Sequence, residues 1–174
     1  MSNALETICP MFDTDTLPTL GPERRPGTKP LSEIENDLTL TLATVDLTDE
    51  LMNLVRSTVL LWHDHLDESH TVSQDIKSPD GSFVHGIMHR REPDYSNAKY
   101  WFNRVGSHPT FPEISNRIFK LLANSSLARL TEGDWDSFAM VDAVATARDG
   151  SEEYNLLQQV QQIEFEVLAE WFCV

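Results

Sequence analysis

His85 and His89 stand one helical turn apart, so on a helix both imidazoles leave the same face. Glu92, seven residues after His85, falls roughly below them. Two histidines and a carboxylate form a ligand set for zinc or non-haem iron. The spacing is not a metalloprotease motif, because Gly86 stands where HExxH carries its general base. A second group, His63, His65, Asp67 and His70, precedes it. If one helix runs through this group, His63, Asp67 and His70 share a face. The simpler reading is a solvated helix end, with His70 favoured there by the dipole. The sharper reading brings His70 beside His85 and His89, as a third ligand or a general base. Histidine alone among these groups titrates near neutral pH unaided, so His70, His85 and His89 are the candidate acids or bases.

The same stretch, His85–His108, is net basic in an otherwise acidic chain, with four Lys/Arg against two Asp/Glu. Arg90 and Arg91 must point to different sides of a helix. One can enter a pocket, where a guanidinium holds a carboxylate or phosphate through two parallel hydrogen bonds. The alternative is that they form salt bridges. Asn97 and Lys99 add donors, and Trp101 adds a ring wall, although Tyr100, Trp101 and Phe102 cannot all face one side. The expected ligand-binding set is therefore Arg90, Arg91, Asn97, Lys99 and Trp101, with His85 and His89 as metal ligands if a divalent ion is bound.

A net charge of −15 opposes non-specific attraction to nucleic acid or anionic membrane. Cys9 and Cys173 form no CxxC pair, so neither a disulfide framework nor a zinc knuckle is indicated. No secretory h-region and no run near the roughly 18 apolar residues of a membrane span is visible. A cytoplasmic protein of one domain is expected from 174 residues.

The elements that must position these groups are helical. Five of nine prolines fall in residues 1–30, which predicts an extended proline-rich arm. Met11, Phe12, Leu17 and Leu20 are its expected anchors, on its own domain or exchanged with a second subunit in a homodimer. The domain proper, 31–174, reads as all-α with about six or seven helices. Ser32-x-x-Glu35 suggests a capping box. Thr48 starts the most periodic helix, Leu51 to Leu66, expected to continue through the second histidine group to the Pro79-Asp80-Gly81 turn. Ser82 to Arg91 carries the first histidine pair, and Asp94 or Ser96 opens a helix ended by Gly106. Helices opened at Pro112, Asp134 and Ser151 follow. The last carries Leu156, Val160, Ile163, Val167 and Trp171 as its stripe, while its late acids and amides read mostly as surface.

The runs WHDHLDESHTVSQD (62–75), GSFVHGIMHRREPDYSNAKYWFNRVGSHPTFP (81–112), WDSFAMVD (135–142) and QQIEFEVL (161–168) resemble a family of uncharacterised microbial proteins. That family has no assigned activity, so the resemblance implies no catalytic residue. Physical reading alone favours binding of a small carboxylated or phosphorylated molecule in a His/Arg pocket. A metal-dependent enzyme using His85 and His89, and an oligomeric interaction module using the arm, are the alternatives.

Overall fold

The structure is a computed structural model and describes residues 4–173. Among these residues the fold is all-α, with no strand. The helices are α1 (Ala4–Ile8), α2 (Leu31–Leu42), α3 (Asp49–Trp62), α4 (Leu66–Ser73), α5 (Pro79–Arg91), α6 (Tyr95–Val105), α7 (Phe111–Leu122), α8 (Ser137–Thr146) and α9 (Glu152–Phe172). Two short 3-10 turns, Cys9–Phe12 and Ala128–Thr131, complete the set. The helix count exceeds the expected six or seven. Two of the extra helices are α1, inside the segment read as an extended arm, and α4, cut from the end of the central helix. None is long and apolar enough to cross a membrane.

Several helix starts follow local chemistry. Thr48, Ser151 and Asp94 each accept a backbone N–H of the first turn, from Leu51, Tyr154 and Asn97 respectively. Gly106 ends α6 at φ 64°, a left-handed conformation that glycine adopts without a Cβ clash. Other starts differ from expectation. Ser32 lies inside α2 and caps nothing, because the chain enters that helix through Pro30. Pro79-Asp80-Gly81 opens α5 instead of closing a turn: Ser78 caps it through the Gly81 N–H, and Pro79 occupies the first position, where no donor is needed. Asp136, two residues after the expected Asp134, caps α8.

The central helix does not run through the second histidine group. It ends at Trp62 in a Schellman motif, with His65 N donating to Leu60 O and Asp64 N to Leu61 O. Asp64 sits at φ 64°, the position usually given to glycine. Two arginines hold it there. Arg91 Nη2 lies 2.7 Å from Asp64 Oδ1 and Arg25 Nε 2.8 Å from Oδ2. The same guanidinium groups also donate to carbonyls of the α3 end, Arg91 to that of Leu61 beside the Asp64 N–H and Arg25 to that of Trp62.

The segment before α2 packs on its own chain. Ile8 and Leu20 are buried, and Met11, Phe12 and Leu17 pack against the core. His63 Nε2 donates to Met11 O, and His65 Nε2 to Lys29 O. From α9, Gln158 and Gln161 amides donate to Pro18 O and Thr19 O, and Tyr154 Oη accepts from Leu20 N.

Helix α5 is buried from Gly81 to Arg91 and is the axis around which the site is built. Gly86 lets α6 approach: a Cβ there would meet the Phe102 ring at 2.8 Å. Opposite, α9 presents a face rotated from the expected stripe. Leu157, Gln161, Glu164 and Leu168 are buried, whereas Trp171 is 42% exposed. A carboxylate and an amide sit in that face because Arg90 meets them, with Nη2 2.5 Å from Glu164 Oε2 and 3.3 Å from Gln161 Oε1. Burial pushes the Glu164 carboxyl up, and the Arg90 charge only partly offsets it.

Candidate metal centre

His85 and His89 leave one face of α5, and α4 lies against that face, carrying His70 and Ser73. The His70 ring centroid is 4.8 Å from that of His85 and 5.4 Å from that of His89. One nitrogen of each ring lies within 4.8 Å of the others. Helix α6 forms the third wall. Trp101 covers His85 at 4.1 Å between ring centroids, and Asn97, one turn earlier, approaches His89.

The two buried imidazoles are oriented from behind. His89 Nδ1 is 3.0 Å from Glu92 Oε2, and His85 Nδ1 is 3.0 Å from Ser73 Oγ. Their Nε2 atoms face each other at 2.9 Å. Glu92 therefore serves as an outer partner that fixes a ring. It is not itself turned to the shared point as a ligand. Since a carboxylate only accepts, His89 carries its proton on Nδ1 and leaves Nε2 bare. His85 then donates from Nε2 to that atom and accepts the Ser73 hydroxyl at Nδ1.

This arrangement can take up an ion without losing a proton. For that, His85 would move its proton to Nδ1 and donate to Ser73 Oγ, while the Ser73 hydroxyl would turn to the His70 carbonyl, 3.4 Å away. Both Nε2 lone pairs are then free. Tetrahedral zinc with bonds of about 2.0–2.1 Å needs ligand nitrogens roughly 3.3 Å apart, so the pair opens by a few tenths of an ångström. The His70 ring makes no hydrogen bond among the described residues, which leaves its nitrogen available. Burial, with His89 and His70 adding to it, pushes the His85 pKa down to about 3. Burial also lowers His89, against the pull of Glu92. At neutral pH these are neutral imidazoles, the form that ligates.

The remaining expected residues divide sharply. Asn97 and Trp101 are at the centre. Lys99 is not: its Nζ lies 2.6 Å from Asp142 on the surface. Neither Arg90 nor Arg91 enters a ligand pocket. Both side chains are fully buried and bound to Glu164 and Asp64. Of the three consecutive aromatics, Phe102 is core, Trp101 half-buried and Tyr100 exposed. His108 belongs to a separate polar contact, between Asp80 Oδ1 at 3.0 Å and Thr110 Oγ1 at 2.7 Å.

Sequence reasoning missed Ser73 as an orienting group, and it missed Gln161 and Glu164 as buried partners. For the latter a signal existed, since Leu157, Gln161, Glu164 and Leu168 recur at helical spacing. No family model matches the chain, and no curated protein or solved structure matches it either.

Proposed function

We propose that this protein is a metal-dependent enzyme in which His70, His85 and His89 hold one zinc-class divalent ion. The observation that carries the reading is the paired outer support: Glu92 and Ser73 fix the rear nitrogens of two neutral rings whose front nitrogens meet. A carboxylate behind the ring, as Glu92 stands behind His89, is how metal-binding histidines are commonly held and tuned. Three protein ligands leave a fourth position for water or a substrate oxygen, as in catalytic zinc sites. The ligands are neutral, so the ion keeps its full double charge and favours hydroxide, carboxylate or phosphoryl oxygen there. A small anionic molecule thus keeps its place in the reading, held by the ion in place of Arg90 and Arg91. The chemistry supplied is activation of a water or polarisation of a carbonyl or phosphoryl oxygen.

Metal analysis tests this on protein purified without a nickel resin, followed by titration of the apo form with zinc, cobalt(II), nickel and iron(II). About one equivalent should bind, and His85→Ala and His89→Ala should each abolish stoichiometric binding. Failure of the parent protein to bind any of the four ions overturns the reading.

A further inference from the structure

Resting on that reading, we infer that Asn97 is a positioning residue that donates a hydrogen bond to the oxygen bound in the ion's open position. Asn97 Nδ2 lies 3.1 Å from His89 Nε2 and 3.4 Å from His89 Nδ1. A donor so nearly equidistant from both ring nitrogens lies to the side of the ring and off the Nε2 lone-pair axis. It therefore does not compete with an ion for that lone pair. An ion about 2 Å from Nε2 stands no more than roughly 5 Å from the amide nitrogen. An oxygen about 2 Å out on the side of that ion facing α6 comes within hydrogen-bond reach of the amide.

The amide has capacity to spare. Its side chain makes no other hydrogen bond among the described residues, although it is half-buried and carries two donors and an acceptor. Its backbone is fixed in the first turn of α6 by the Asp94 cap, 3.3 Å from the Asn97 N–H. Trp101, one turn further along α6, covers His85 from the same side. Helix α6 therefore supplies one ring wall and one donor, while α4 supplies the half-exposed ligand His70. An N–H donor beside a dication selects ligands whose coordinating oxygen also accepts a hydrogen bond, as a carboxylate oxygen with its two lone pairs does. The substrate class this assigns is a small carboxylate, or a reaction passing through a metal-bound oxyanion.

The test uses the full chain loaded with cobalt(II), whose visible bands report its ligands, titrated with acetate. Asn97→Ala should bind cobalt(II) within about threefold of the parent, yet bind acetate about five- to tenfold more weakly, the loss of one hydrogen bond. Asn97→Leu, close in size and unable to donate, should behave alike and serves if the alanine variant unfolds. Equal acetate affinity in parent and variants, with cobalt(II) bound in all, overturns the role of Asn97 and leaves the metal reading standing. Absence of cobalt(II) binding in the parent overturns both. Loss of cobalt(II) in the variants alone makes Asn97 part of the ligand support and also refutes the inference.

Discussion

Two histidine clusters flank the N-terminal part of the same short helix and use their rings in opposite ways. In His63-Asp64-His65 the ring Nε2 atoms donate to backbone carbonyls, those of Met11 and Lys29, and Asp64 is consumed by Arg25 and Arg91. In His70, His85 and His89 the front nitrogens of the two buried rings face each other, and the rear ones are held by side chains. The first cluster closes a helix end and fastens the N-terminal segment. The second gathers lone pairs. Residue type does not distinguish them; what each nitrogen faces does. The comparison predicts that damage to the first cluster costs stability and leaves metal binding intact, while damage to the second does the reverse.

The largest expected effect is at Asp64. Asp64→Ala leaves two buried guanidinium groups without their carboxylate and should cost about 3–5 kcal/mol in urea unfolding. Limited proteolysis should show the segment around residues 13–30 cut early, since Arg25 is released with it. A loss under about 1 kcal/mol contradicts the account of this helix end. The pH dependence has a definite sign. Burial pushes the Asp64 carboxyl up, but Arg91 and Arg25 together outweigh it and hold its pKa below the ordinary value of 3.8. Its contribution is therefore fully present above the unfolded value and fades as pH falls through the lower, folded one. Urea midpoints measured from pH 5 downward should fall in the parent, and the part due to this group should vanish in Asp64→Ala.

Next in size is the effect of metal on stability. With free zinc at 100 times its Kd, the parent should gain about 2.7 kcal/mol, because the ion binds only the folded state. His85→Ala should gain nothing, whereas His63→Ala, destabilised at the segment it fastens, should gain the full amount. Equal gains in both variants would erase the distinction between the clusters.

The division between legible and hidden features follows the range of the interactions. The caps at Thr48, Asp94 and Ser151 and the terminator Gly106 act within a few residues, so their chemistry is written locally. The i, i+4 pair of His85 and His89 is equally local, and so is the facing of His70 across one short connection. The end of α3 was not legible. An aspartate takes the left-handed position there only because arginines 39 residues before it and 27 after it converge on its carboxylate. Arg90 likewise finds Glu164 across 74 residues. The arginines read as ligand donors because isolated cations suggest an anion, and the anions proved to be the chain's own.

A smaller effect separates the two rear partners of the proposed metal centre from its proposed ligands. Glu92→Ala should weaken zinc binding by about 10–100-fold, the range found for such outer partners, with little change in apo stability because Glu92 is exposed. A competition titration against a chromogenic chelator reads this directly. An unchanged Kd would mean that the carboxylate neither orients His89 nor raises its basicity.

The smallest effect should come from Ser73, and it probes the proton rearrangement most closely. On the proposed reading, the Ser73 hydroxyl, 3.0 Å from His85 Nδ1, would donate to it before an ion binds and accept from it afterwards, so that His85 would change tautomer without shedding a proton. Ser73→Ala removes both roles at once. The apo ring loses a donor and the loaded ring an acceptor, and the two losses partly cancel in the binding equilibrium. Zinc affinity should therefore fall by less than for Glu92→Ala, about tenfold or under. The ring also loses its anchor in both states, so cobalt(II) bands should broaden or shift as the His85 ligand geometry loosens. A fall in affinity as large as that of His85→Ala would show Ser73 to be more than an orienting group, and an unaltered cobalt(II) spectrum would show that α4 does not fix the ring at all.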